Sequence, residues 1–204
     1  MIYKRITTTS DPLFKSCWDI YCSNFPLEER RDLLEQKRIF NTYCNNPHEE
    51  NNIFIFNALL EKCDNNKNIN GNIFKVDGVN CSLVGIFSYW NFTEVVFGEH
   101  LAISQNVQGM GIGKIAIDHL KRYATEKKKP ILLEIEVPDD IITRRRESFY
   151  KKLGFKENPY EHFQPCYHKG DEPIEMVIMT WPEEVSDATY NQFKTEQQAI
   201  MPVF

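Results

Sequence analysis

The sequence predicts an α/β fold, and two observations carry that expectation. Between Val95 and Val137 the chain reads as strand, glycine-rich turn, helix and strand: a β-rich run ends near Ser104, Gln108-Gly109-Met110-Gly111-Ile112-Gly113 follows, Ile112, Ile115, Ala116, Leu120 and Tyr123 recur at helical spacing, and Ile131–Val137 is β-rich again. Upstream, Asp77-Gly78 separates two runs of strand composition, the chemistry of a tight hairpin. With 204 residues, of which 42% are hydrophobic, the chain is long enough to bury a proper core.

Taken in order, residues 2–7 alternate as a short strand. Ser10-Asp11-Pro12 is a helix-start signal, and Leu13, Cys17, Ile20 and Tyr21 predict a helix that runs to Asn24. The charged, helix-favouring stretch Glu28–Phe40 predicts a second helix. Ile53, Phe56, Leu59 and Leu60 on one helical face predict a third over Glu50–Lys62. Polar, turn-rich Asn65–Asn72 reads as a connecting loop. Ile73–Val76 and Cys81–Trp90 form the hairpin, Val95–Ser104 is a further strand, Gly111–Lys127 a helix and Ile131–Val137 a strand. Thr143–Leu153 is a helix stopped by Gly154, and Glu175–Trp181 is the last strand, closed by Pro182. These elements give one domain over residues 1–182, with an insertion at about 41–72, and a C-terminal appendage over 183–204 whose order the residues do not specify.

Charge and composition exclude several classes. A net charge of −5 argues against a domain-wide affinity for nucleic acid, which rests on clustered Lys and Arg. The one lysine run, Lys127-Lys128-Lys129, ends a predicted helix, where cations meet the negative end of its dipole. No apolar run approaches the roughly 20 residues that span a bilayer, and Met1–Ile6 lacks a signal-peptide core. The six cysteines show no CxxC pair and no framework spacing, so reduced thiols and a cytoplasmic location are expected. His162, Cys166 and His168 are metal-type residues without a fourth ligand at zinc-finger spacing, and no metal site is expected.

The glycine-rich turn carries the chemistry. Glycines clear the way for consecutive backbone N–H groups to point at an anion, and the start of the following helix adds partial positive charge. A pyrophosphate cradle satisfies both features. The alternative is a turn needed only for tight strand-to-helix packing. A P-loop would require glycine at Gln108 and Ser or Thr at Ile115; a dinucleotide fingerprint would require a third glycine and several alternating strand–helix units.

Gln108-x-x-Gly111-x-Gly113, preceded by the strand Glu99-His100-Leu101-Ala102-Ile103, resembles the coenzyme A signature of the GNAT acetyltransferase superfamily. Phe149-Tyr150-Lys151-Lys152-Leu153-Gly154-Phe155 is similar to the family's later helix-to-strand element, with a tyrosine four residues before Gly-Phe. Phe25-Pro26-Leu27-Glu28-Glu29-Arg30-Arg31 and Gln164-Pro165-Cys166-Tyr167 resemble a bacterial subgroup. The resemblance implies a mixed sheet in which two neighbouring parallel strands splay apart. It implies acetyl-coenzyme A as cosubstrate and an amine, small-molecule or peptide, as acceptor, with no nucleic acid or membrane partner, in a monomer or homodimer. Backbone at Leu101, Ala102 and Ile103 would then meet the pantetheine arm and acetyl carbonyl. Gln108, Gly109, Met110, Gly111, Ile112, Gly113 and Lys114 would hold the pyrophosphate. An internal glycine at Phe97-Gly98 suggests a bulge that bends the strand away from its neighbour, or else a simple turn.

Acetyl transfer to an amine needs a base, an oxyanion donor and an acid for the departing thiolate. The family match makes Tyr150 the candidate acid, against the alternative of a core aromatic with a satisfied hydroxyl. Glu94, Glu99, Glu134, Glu136 and His100 lie on or beside the central strands, and Glu99, in the middle of its strand, is the favoured base, with a water chain to a remote carboxylate equally open. Thr143 and Arg146 depart from the asparagine and small residue frequent in the family; Arg146 is a candidate for a coenzyme A phosphate and otherwise a surface residue. Two other functions stay open, a coenzyme A-binding module without turnover and a nucleotide-dependent oxidoreductase or kinase.

Overall fold

The computed structural model describes residues 1–46, 52–63 and 73–201. The chain divides into two compact units, Met1–Tyr89 with His100–Ile117, and Trp90–Glu99 with Asp118–Phe204.

In the first unit β1 (Ile2–Arg5) pairs antiparallel with β2 (Phe54–Lys62), from Ile2↔Leu60 to Arg5↔Asn57. β3 (Ile73–Val76) and β4 (Val79–Asn91) form the expected hairpin, whose turn holds Asp77 at φ 49° and Gly78 at φ 81°. Two left-handed residues in a row match the right-handed twist of the flanking strands. β4 is followed by β5 (Val96–Ile103), joined to it at the end of the strand by Ser104 N–H donating to the Val84 carbonyl at 2.9 Å. Helices α1 (Phe14–Asn24) and α2 (Leu33–Tyr43) bring Phe14 and Phe40 together, their rings 5.8 Å apart, and Phe40 packs edge-on against Phe56 of β2.

Two expectations change here. Phe54–Lys62 is a strand and not a helix, because every residue from Phe54 to Leu60 is buried. A strand covered on both faces reads as an unbroken apolar run, and such a run satisfies helical spacing by coincidence. The second expected helix starts later, at Leu33, because the Asp32 side chain accepts the Glu35 N–H at 2.7 Å and caps it. Leu27–Glu29 ahead of it form a 3-10 turn. The loop expected at 65–72, and residues 50 and 51 of the expected third helix, lie outside the described residues.

In the second unit the order is β5, β6 (Ile131–Glu136), β9 (Ile174–Trp181) and β7 (Lys156–Glu157), with β8 (His162–Gln164) also on β9. β6 runs parallel to β5 for only three pairs, Val96↔Ile131 to Gly98↔Leu133, but antiparallel to β9 for its whole length. The parallel ladder therefore stops in mid-strand, as a splay requires. Gly98 has a packing reason: a Cβ there would lie 2.5 Å from the Leu133 Cδ2 and 3.3 Å from the Leu120 Cδ2. α4 (Ile141–Lys152) starts two residues earlier than expected, at a capping box in which Asp140 accepts the Thr143 N–H at 2.7 Å and the Thr143 hydroxyl accepts the Asp140 N–H.

The segment beyond Pro182 contains a further helix, α5 (Asp187–Ile200). Tyr190, Phe193, Gln197 and Ile200 form its buried stripe. Phe193 packs edge-on against Phe97 at 5.0 Å, while Tyr190 and Gln197 meet a buried polar pair, Glu134 with His162. His162 Nε2 contacts the Glu134 carboxylate, which also accepts from Gln197 Nε2 at 2.6 Å. The other imidazole nitrogen meets the Tyr190 hydroxyl at 2.9 Å. Phe193 is fully buried. Phe193→Ala is accordingly expected to lower the unfolding free energy by about 3–5 kcal/mol, read from a urea melt of the full chain; a loss within 0.5 kcal/mol, roughly the scale of a surface change, would show that α5 does not belong to this core.

Candidate functional site

The glycine-rich turn lies wholly in the first unit. A 3-10 turn, Gln105–Val107, leads out of β5, and Val107 is buried as its anchor. Gly109 and Gly111 both adopt left-handed backbone, at φ 79° and 82°, and a Cβ on either would meet no atom within 4 Å. Helix α3 (Ile112–Lys127) begins at once, with Ile112 buried and Gly109, Met110 and Gly111 exposed. The N–H groups of Gly109, Gly111, Ile112 and Gly113 donate to no carbonyl among the described residues. Several unused donors, left-handed glycines and a helix start in one turn are an arrangement that can receive an anion. Gln108 is exposed, and its Nε2 donates to the Ile103 carbonyl at 3.0 Å, which ties the turn to the end of β5. Lys114 is exposed on the first turn of α3. Along β5, Leu101 and Ile103 are half-buried and Ala102 is buried. The Ala102 carbonyl comes so close to Gly85 of β4 that a Cβ there would lie 2.5 Å from it.

His100, also of the first unit, turns into the core. Its Nε2 meets the Glu29 carbonyl at 3.1 Å and its Nδ1 the Ser88 hydroxyl at 3.5 Å, with the rings of Tyr21 and Phe25 edge-on at 4.9 and 4.7 Å.

The second unit holds the other sequence-predicted groups. Tyr150 lies near the end of α4, where its carbonyl accepts from Leu153 and Phe155 N–H, and left-handed Gly154 (φ 81°) terminates the helix. Its ring packs edge-on between Phe149 and Phe155, and its hydroxyl has no hydrogen-bond partner among the described residues. Burial pushes the phenol above its usual value, and the Arg146 cation partly offsets that. Arg146 itself forms an ion pair with Glu136.

Of the candidate carboxylates, Glu94 is exposed, Glu134 is held by His162 and Gln197, and Glu136 is held by Arg146. Glu99 is half-buried, and its Oε1 accepts from the Tyr167 hydroxyl at 3.5 Å. Tyr167 is the residue that sequence reasoning left without a role; it stood in a recognised stretch, but nothing in its spacing could tie it to Glu99. The metal-type residues are otherwise engaged, His162 as above and Cys166 through Sγ donating to the Asp171 carbonyl at 3.1 Å.

Comparison with known proteins agrees with this geometry. The sequence model of the Acetyltransferase (GNAT) family matches residues 15–155, well over half of the chain. The protein named "Putative acetyltransferase YjbC" from Bacillus subtilis (strain 168) is 31% identical over 121 residues, 54% of this chain; the match spans 61% of that relative's length. Among solved structures, one titled "Putative acetyltransferase from GNAT family", from Bacteroides thetaiotaomicron, superposes with a TM-score of 0.75 at 25% identity, covering 98% of this chain and 97% of that one. An aminoglycoside 6'-N-acetyltransferase complexed with coenzyme A shares the fold, at a TM-score of 0.53 and 14% identity, over 92% of this chain and 100% of the other. With an open mixed sheet, a parallel ladder that stops in mid-strand and a glycine turn ahead of α3, the chain belongs to the acetyltransferase (GNAT) family.

Proposed function

We propose that this protein transfers the acetyl group of acetyl-coenzyme A to a primary amine by direct attack of the amine on the thioester. The observation that carries the proposal is the turn at Gly109 and Gly111, where open left-handed backbone and unused N–H groups meet the start of a sixteen-residue helix. Backbone N–H groups from Gly109 to Gly113, with Lys114 beside them, hold the pyrophosphate, and backbone at Leu101–Ile103 receives the pantetheine arm and acetyl carbonyl. Arg146, which forms an ion pair with Glu136, is a further ligand for a coenzyme A phosphate. Glu99 takes the proton from the attacking ammonium and Tyr150 supplies one to the departing thiolate. The raised phenol suits the second task, since it keeps its proton at neutral pH.

Acetyl-coenzyme A at about 100 times its Kd is expected to stabilise the fold by about 2.7 kcal/mol, a rise in Tm of roughly 5–10 °C for a chain of this size, whereas NAD and ATP leave Tm unchanged. Release of free thiol with a panel of polyamine, aminoglycoside, amino-acid and lysine-peptide amines then reports transfer. Binding without thiol release from any amine would make the protein a binding module; protection by NAD or ATP instead would reassign the loop.

A further inference from the structure

We propose that Tyr167 is the positioning residue of Glu99, holding that carboxylate in one orientation for the acceptor amine; this rests on the reading of Glu99 as the base. Two aspects of the second unit support it. Glu99 follows the last residue of β5 that pairs with β6, Gly98↔Leu133. Paired residues share a face and neighbours alternate, so Glu99 stands on the face of Phe97, Leu132 and Glu134, the face that α5 covers through Phe193 and Gln197. Beyond Gly98 the ladder to β6 has ended, and a side-chain contact adds order to a carboxylate on that stretch.

Tyr167 supplies it from a braced loop. The loop Pro165–Pro173 is tied at its base by β8 pairing to β9, His162↔Met176 through Gln164↔Ile174, and by the contact of His162 with Glu134. Within the loop, Cys166 Sγ donates to the Asp171 carbonyl at 3.1 Å and the Asp171 N–H to the His168 carbonyl at 3.3 Å. Tyr167 is 4% exposed, so its ring is fixed by packing and its hydroxyl arrives at Glu99 Oε1 from a rigid support. At 3.5 Å the bond is long, and such contacts tighten when the reacting complex forms. The general effect is familiar: a second group that fixes a carboxylate limits its rotamers and sets which lone pair faces the substrate.

The first test needs no substrate. In protein carrying tyrosine labelled with ¹³C at Cζ, the Tyr167 resonance, assigned by its loss in Tyr167→Phe, is expected to move in Glu99→Gln and to stay in Glu94→Gln. The second is a double-mutant cycle with acetyl-coenzyme A and the panel amine that releases most thiol. Tyr167→Phe is expected to lower kcat/KM for the amine about tenfold, in line with one hydrogen bond to a charged group, with the Kd of acetyl-coenzyme A unchanged and no further loss in the Glu99→Gln background. A purely structural role would make the two losses multiply, and would overturn the proposal, as would a Tyr167 resonance indifferent to Glu99. Full activity of Glu99→Gln would instead remove Glu99 as base, and the positioning role with it.

Discussion

Tyr150→Phe is expected to lower kcat by a factor of about 10²–10⁴, the usual worth of one acid–base group, with acetyl-coenzyme A affinity and Tm close to those of the native chain. The change removes only an oxygen. The ring contacts with Phe149 and Phe155, and the carbonyl that caps the helix end, are untouched by it. Since the hydroxyl bonds to no described residue, its removal orphans no partner, and the penalty of about 1–3 kcal/mol for an unsatisfied buried group does not arise. The pH dependence follows from the same environment. Burial raises the phenol above its usual value of about 10, so the acid is protonated throughout the neutral range and is lost only as pH rises through that raised value. A basic limb assigned to Tyr150 therefore lies above pH 10 and disappears in the phenylalanine variant. Native turnover in Tyr150→Phe would end its assignment as the acid; a fall in Tm with unchanged turnover of the folded fraction would make it a packing residue.

How far the sequence could be read depended on whether the deciding interactions were local. The turn at Gly109 and Gly111 was legible because its requirements, left-handed backbone and a helix start, are written in consecutive residues. The hairpin at Asp77-Gly78 was legible for the same reason. Phe54–Lys62 misled because burial on both faces erases the alternation that marks a strand, and only pairing with β1 decides its type. β7 and β8 were missed because strands of two and three residues carry no period; their order comes from β9. The candidate carboxylates divide in the same way. Glu99, Glu134 and Glu136 look alike in sequence, and what separates them is distant: His162 and Gln197 for Glu134, Arg146 for Glu136 and Tyr167 for Glu99. Arg146 shows the same limit from the other side, since nothing in its own stretch of sequence ties it to the Glu136 carboxylate on β6.

Gly111→Val is expected to weaken acetyl-coenzyme A binding by about 10- to 100-fold, which corresponds to about 1.4–2.8 kcal/mol, and the backbone geometry supplies its control. A valine at φ 82° is strained whatever space surrounds it, so some loss of stability, roughly 1–3 kcal/mol, accompanies the change and cannot by itself report on the ligand. Gly78 has the same constraint without the proposed function. It sits at φ 81° in the β3–β4 hairpin of the same unit, and a Cβ there also meets nothing within 4 Å. Gly78→Val therefore carries a comparable backbone cost, and the two variants should melt at similar temperatures below the native chain. They should part in calorimetry at a temperature where both are folded. At Gly78 the added methyl groups point into solvent and the Kd stays native. At Gly111 they stand beside the unused N–H groups of Ile112 and Gly113, where a pyrophosphate must approach within hydrogen-bond distance of the backbone. Equal affinity in the two variants would mean that the open ground at Gly111 serves the turn alone and that the pyrophosphate lies elsewhere.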